Sequence, residues 1–148
     1  MSYLFGQLAK NQIFITVLVA WFVAQGAKVA VGVIREKRFN FRWFVDTGGM
    51  PSSHAATVSA LAAAVAIKFG VSTPIFAITL VFTWIILMDA QGFRRSTGKQ
   101  AEILNMILDD IYWKKKVKEE RLKELLGHTP VEVLVGAVIG ILVALIFK

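Results

Sequence analysis

The sequence predicts an all-α fold, an integral membrane bundle of about four transmembrane helices with an amphipathic helix on the cytoplasmic surface. Three observations carry this expectation. Hydrophobic residues make up 56% of the 148-residue chain and the mean hydropathy is +0.62, too apolar for a soluble domain of this size. Four apolar windows, at about 13–34, 50–69, 72–93 and 129–147, are each close to the roughly 20 residues that cross a hydrocarbon core of about 30 Å. The basic residues behind the net charge of +7 lie mostly in two segments between these windows, a pattern that orientation in a membrane explains better than nucleic-acid binding.

Taken in order, residues 1–12 read as a short interfacial lead-in. The first window lacks a strong basic region before it and a small-residue cleavage site after it, so it reads as a retained span and not a signal peptide. Segment 35–49 is a polar loop whose Arg42-Trp43-Phe44 cluster suits the headgroup zone. The second span is rich in alanine (Ala60, Ala62, Ala63, Ala64, Ala66); small residues let helices approach closely in lipid, which places this span at the centre of the bundle. A tight turn from Gly70 to Pro74 reverses the chain into the third span.

Residues 99–126 carry Leu104, Ile107, Leu108 and Ile111 at helical spacing, then a charged run from Lys114 to Lys123. They predict an amphipathic helix or helix pair on the membrane surface. The basic run suits anionic headgroups and a plainly solvated helix face equally well. Residues 1–148 are expected to form a single membrane-embedded domain without internal repeats. The absence of cysteine excludes disulfides, thiolate metal sites and cysteine nucleophiles.

Charge sets the orientation. The segment joining the first two spans holds Arg35, Lys37, Arg38 and Arg42, and the segment joining the last two holds nine more basic residues from Arg94 to Lys123. The opposite side has Lys10, Lys68 and Lys148. Both connecting segments therefore belong in the cytoplasm, with both termini outside.

The polar residues near the span ends form a constellation. Lys28 and Arg35 are seven residues apart, close to two helical turns, and share one face at the inner end of the first span. Gly49-Met50-Pro51-Ser52-Ser53-His54 opens the second span; Pro51 suits the first helical position, and the N–H groups around Ser52 and Ser53 belong to a helix start that attracts anions. Taken alone, the same residues fit a serine cap beside a histidine at the interface. Asp89 ends the third span close to Arg94 and Arg95, where ion pairing is a better reading than a metal site shared with Glu102, because two scattered carboxylates make a poor metal signature. His128 and Glu132 stand at i and i+4, so that the carboxylate can fix the ring tautomer and leave the other nitrogen available as a nucleophile. All four pieces fall on one membrane face. Cations, a helix N-terminus and the chain's two histidines suit a phosphate whose charge is balanced while one histidine attacks phosphorus and another protonates the leaving oxygen.

In this order the residues resemble the type-2 phosphatidic acid phosphatase superfamily, which includes vanadium haloperoxidases. Its first block, Lys, six residues, Arg-Pro, is matched by Lys28 and Arg35 with Glu36 in place of proline. Its second, Pro-Ser-Gly-His, is matched by Pro51-Ser52-Ser53-His54 with serine for glycine. The second half of its third, His, three residues, Asp, is matched by His128 and Glu132 with glutamate for aspartate. Leu122 stands where that block has arginine. The stretches Asp89-Ala90-Gln91-Gly92-Phe93-Arg94-Arg95 and Gly98-Lys99-Gln100 are similar to a divergent branch related to acid phosphatases and vanadium-dependent haloperoxidases.

The resemblance implies a metal-free phosphatase without cofactor. It makes His128 the phosphohistidine nucleophile, Glu132 its orienting partner and His54 the general acid. Lys28, Arg35, Ser52, Ser53 and one of Arg94 and Arg95 would cradle the phosphate, with Asp89, Lys99, Gln100 and Glu102 behind them. The expected activity is hydrolysis of a phosphate monoester of a membrane lipid. A cytoplasmic site makes phosphatidylglycerophosphate the first expectation, ahead of phosphatidic acid and prenyl phosphates or diphosphates. The rival class is a non-enzymatic lipid-binding scaffold or transporter subunit. Membrane lipids and the lipid phosphate are the expected partners, with no nucleic acid. Four spans are few to enclose a site and a lipid tail, which favours a homodimer that no motif marks. The expected location is the cell's inner (plasma) membrane, with the site on the cytoplasmic face. On this cysteine-free chain, Lys118→Cys should react with an impermeant maleimide only after cells are opened; labelling in intact cells would reverse the orientation.

Overall fold

The computed structural model describes residues 2–40, 43, 49–91, 100, 103–108 and 128–148. All regular structure among them is helical: α1 (Ser2–Leu8), α2 (Gln12–Glu36), α3 (Ser53–Phe69), α4 (Pro74–Gln91) and α5 (Pro130–Ile146). Asn11 caps α2, its side chain accepting the Phe14 N–H at 3.2 Å, a role asparagine fills well because its short carbonyl reaches the first-turn donors. Lys37 closes the same helix in the left-handed region, with φ 51° and its N–H on the Val33 carbonyl. Between α3 and α4, Gly70 takes φ +85°, a conformation that costs glycine little. Thr73 then donates its hydroxyl to the Gly70 carbonyl at 2.9 Å.

The four long helices fall within or close to the four apolar windows. One local expectation is corrected. Pro51 does not occupy the first helical position of α3: Ser52 is the cap, accepting the Ala55 N–H on its hydroxyl, and the helix begins at Ser53. A serine whose hydroxyl can bond the third helical N–H competes with a preceding proline for the helix start, and here the cap wins. Pro51 follows Met50 through a cis peptide bond. Of the predicted surface helix, Gln100 and residues 103–108 are helical; the remainder lies outside the described residues.

The distribution of residue types is inverted relative to a water-soluble protein. The buried positions are mostly small or hydroxylic, among them Ala20, Ala24, Ala55, Ala56, Ala60, Ala64, Ala144, Thr16, Ser59 and Thr83. Phe22, Ile34, Ile78, Trp84, Leu134 and Ile146 point outward. Apolar outer surfaces and small-residue seams are what lipid selects, because dispersion contacts between closely approaching backbones hold helices together there. α2 and α4 are long and apolar enough to cross a membrane, and α3 and α5 are shorter apolar helices of 17 residues each.

Helix α3 packs against α2, α4 and α5, as its alanine content predicts. Its seam with α5 is the tightest. A Cβ added at Gly136 would collide with the Ser52 carbonyl oxygen, and one at Gly140 with that of Ala56. Gly136 and Gly140 form a GxxxG pair facing Ser52, Ala56 and Ala60, spaced every four residues on α3. Thr83 adds a link from α4, donating its hydroxyl to the Val58 carbonyl at 3.1 Å. Because the obstacle at Gly140 is backbone, Gly140→Ala should lower stability by about 2–3 kcal/mol. Gly26, with nothing within 4 Å of an added Cβ, provides the contrast: Gly26→Ala should be neutral or stabilising by up to about 1 kcal/mol. Thermal unfolding of both in detergent tests the pair.

Candidate active site

On α5 the seam residues Gly136, Gly140 and Ala144 recur every four positions, and the same spacing run backwards gives Glu132 and His128. The residues expected to do chemistry thus continue the packing stripe through the first turn of α5, at Glu132, to His128 just before it. Two backbone hydrogen bonds fix them against other elements: the Ser52 N–H donates to the Glu132 carbonyl at 3.0 Å, and the His128 N–H donates to the Ala90 carbonyl at 3.2 Å. The starts of α3 and α5 and the end of α4 are joined by main chain.

Thr129 caps α5 and Pro130 follows at the start of the helix, with a full capping box. The Thr129 hydroxyl accepts the Glu132 N–H at 3.3 Å, and Glu132 Oε2 accepts the Thr129 N–H at 2.9 Å. The same Oε2 lies 3.3 Å from Nδ1 of His128. His128 is 2% exposed. A proton on Nδ1, donated to the carboxylate, places the lone pair on Nε2, the nitrogen that Glu132 does not engage.

At the start of α3, Ser52 and Ser53 are buried and His54 is half-buried. Ser53 and His54 hold the first two helical positions, whose N–H groups no carbonyl of the helix can receive. The His54 ring lies 6.3 Å from that of His128, centroid to centroid, tilted by 56°. Among the described non-glycine residues, Lys37 alone has positive φ. Ser53 therefore sits without backbone strain where the resembling motif has glycine.

Lys28 ends a stripe of every fourth residue on α2, after Thr16, Ala20 and Ala24. It is 5% exposed, and its stem runs along Gly49, where an added Cβ would stand 3.8 Å from Lys28 Cγ. At the far end of the bundle Gln12 Nε2 donates to the Phe147 carbonyl at 2.8 Å, so the start of α2 and the end of α5 are level there. With 25 residues against 17, α2 projects about 12 Å past the start of α5. Lys28 falls at the level of that start.

Arg35 lies about 10 Å farther along the axis and is exposed. Lys28 thus joins His54, His128, Glu132, Ser52 and Ser53 at one end of the bundle, whereas Arg35 does not join them. Glu36, in the motif's proline position, pairs with Arg38 at 3.0 Å. Asp89 and Gln100 are exposed. Arg94, Arg95, Lys99 and Glu102 lie outside the described residues, and so does any pairing of Asp89 with the two arginines. Among the described residues no three metal-ligating side chains cluster.

Sequence reasoning missed two features. One is Gly136 with Gly140, which the GxxxG spacing could have flagged. The other is Trp43, read as a headgroup-zone residue, whose carbonyl instead receives the side chain of buried Gln25 at 2.9 Å; only the lone amide within an apolar span hinted at it.

The sequence matches the Divergent PAP2 family over residues 9–143. It is 36% identical over 151 residues to the uncharacterized membrane protein YuiD of Bacillus subtilis (strain 168), an alignment covering 95% of this chain and 96% of that one. No solved structure matches. Since one hydroxyl supports the turn that carries the carboxylate, Thr129→Ala should lower stability by about 1 kcal/mol, measured by thermal unfolding against the parent.

Proposed function

The chain belongs to the Divergent PAP2 family, and from that premise we propose that it is a lipid phosphate phosphatase working through a phosphohistidine. The observation that carries this reading is the pair of histidine rings 6.3 Å apart, one with Glu132 on its Nδ1. His128 Nε2 attacks phosphorus as the bond to the lipid oxygen breaks, and His54 gives its proton to that oxygen. The product alcohol leaves. His54, now neutral, takes a proton from water, whose oxygen attacks phosphorus and breaks the P–N bond to release inorganic phosphate.

Glu132 holds the Nδ1 proton throughout and stabilises the ring as its charge grows. Lys28 and the first-turn N–H groups of α3 balance the phosphoryl charge. Arg94 or Arg95 completes the cradle in this proposal; they follow Ala90, whose carbonyl receives the His128 N–H, by four and five residues.

Sidedness and depth bear on the substrate. The charge distribution supports a cytoplasmic site in the inner membrane, which favours phosphatidylglycerophosphate. Depth favours a second reading. Helices of 17 residues span about 25 Å, less than a hydrocarbon core of about 30 Å, so a site at their starts is recessed. A phosphate carried directly by the embedded alcohol, as in phosphatidic acid or a prenyl phosphate, reaches such a site without folding a longer headgroup back into it.

The competing class, a lipid-binding scaffold or transporter subunit, needs the cations but not the paired histidines. Purified protein should release phosphate from at least one lipid in a panel of these three substrates, and His128→Ala should lower the rate by at least about a thousandfold. Equal inactivity of parent and variant across the panel would refute the phosphatase, and the preferred substrate decides between headgroup-borne and directly borne phosphate.

A further inference from the structure

Gln25 is 3% exposed inside the first span, where an amide is costly unless it is hydrogen-bonded. Its Nε2 donates to the Trp43 carbonyl at 2.9 Å, and the Trp43 N–H donates to the Asn40 carbonyl at 3.1 Å. The indole covers Gly32, where an added Cβ would lie 2.9 Å from Cε3. Gln25 and Gly32 are seven residues apart on α2, hence on one face. Trp43 is therefore held at two points along that face.

Position makes this contact unusual. Gln25 precedes the end of α2 at Glu36 by eleven residues, about 16 Å, so the chain leaves α2 and returns deep along it by Trp43. Lys28 lies one turn from Gln25 and between it and Gly32 in sequence, with Gly49 against its stem. Chain returning from the helix end is thus found both on the Gln25 to Gly32 face and against Lys28.

We propose that Gln25 and Gly32 are positioning residues that seat Trp43 as a wall between Lys28 and bulk water. An ammonium screened from water acts more strongly on a nearby anion, because the effective dielectric around it falls. Glycine at position 32 provides the flat surface for the indole, and the Gln25 amide sets how deep the return reaches. The consequence for activity rests on the reading of Lys28 as a phosphate ligand; the wall itself does not.

The test uses the cysteine-free chain carrying Lys28→Cys, in nanodiscs where both faces meet water, with a water-soluble maleimide as probe. Adding Gln25→Met, which keeps the length and removes the donor, or Gly32→Val, which pushes the indole off, should each raise the labelling rate on the order of fivefold to tenfold. Gly26→Ala should leave it unchanged. Equal rates in the Lys28→Cys protein with and without both substitutions, at matched thermal stability, would overturn the wall; Gly32→Val decides alone if Gln25→Met does not fold. With Lys28 in place, Gln25→Met should lower kcat/KM for the hydrolysed lipid by a similar factor, and Gln25→Asn, which retains a donor, should recover part of it. A parent that hydrolyses nothing removes the phosphatase reading while the labelling still decides the wall, whereas hydrolysis with equal labelling rates removes only the wall.

Discussion

The contact on which the rest depends is the backbone-to-backbone seam between α3 and α5. Gly136 and Gly140 leave no room for a Cβ above the carbonyls of Ser52 and Ala56. In lipid, the solvent gives no hydrophobic reward for bringing two apolar helices together, so close approach with many dispersion contacts must do it. The seam runs to the very start of α3: the Ser52 carbonyl faces Gly136, while the Ser52 N–H bonds to Glu132. A shift of either helix along this seam would separate His54 from His128, since His54 lies two residues from the Ser52 contact and His128 four from the Glu132 contact.

Depth is the second consequence of the same geometry. α3 and α5 are short and begin below the end of α2, so their first turns open inside the rim that α2 raises. First-turn N–H donors in such a recess face less water than at a surface, and their attraction for an anion is less screened. Lys28 is placed at this level by a stripe of small residues, Thr16, Ala20 and Ala24, that brings α2 close to the bundle axis. Burial of a lysine is expensive in an apolar span, and here it falls at the level where α5 begins, the end of the bundle that carries the two histidines and Glu132.

Much of this was legible in the sequence, for identifiable reasons. Span positions follow from hydropathy, and the central place of α3 from its alanines, because both reflect the lipid solvent residue by residue. Lys28, His54, His128 and Glu132 stood out because polar groups at span ends are rare enough to mean something in company. Pro51 was misplaced because proline preference and serine capping compete for the same boundary, and only the relative position of the Ala55 N–H decides. Arg35 shared a helical face with Lys28 by spacing, but the unequal lengths of α2 and α5 that strand it outside are not local information. The return of the chain to Gln25 was illegible for the same reason: a hydrogen bond across eighteen residues leaves no periodic trace.

The exchange of glutamate for aspartate at position 132 becomes understandable through the cap. In a Thr-x-x-Glu box the acid at the third helical position must reach back to the N–H of the capping residue, and the extra methylene of glutamate provides that reach. Here the reach brings Oε2 to the Thr129 N–H at 2.9 Å and, in the same position, to His128 Nδ1 at 3.3 Å. One oxygen thus meets both the helix start and the histidine ring. A carboxylate held by the cap has little freedom to swing away from the histidine, so the side chain loses less entropy in orienting the ring than an untethered glutamate would. The helix start restrains the longer residue, and the surroundings of His128 Nδ1 are to that extent a property of how α5 begins.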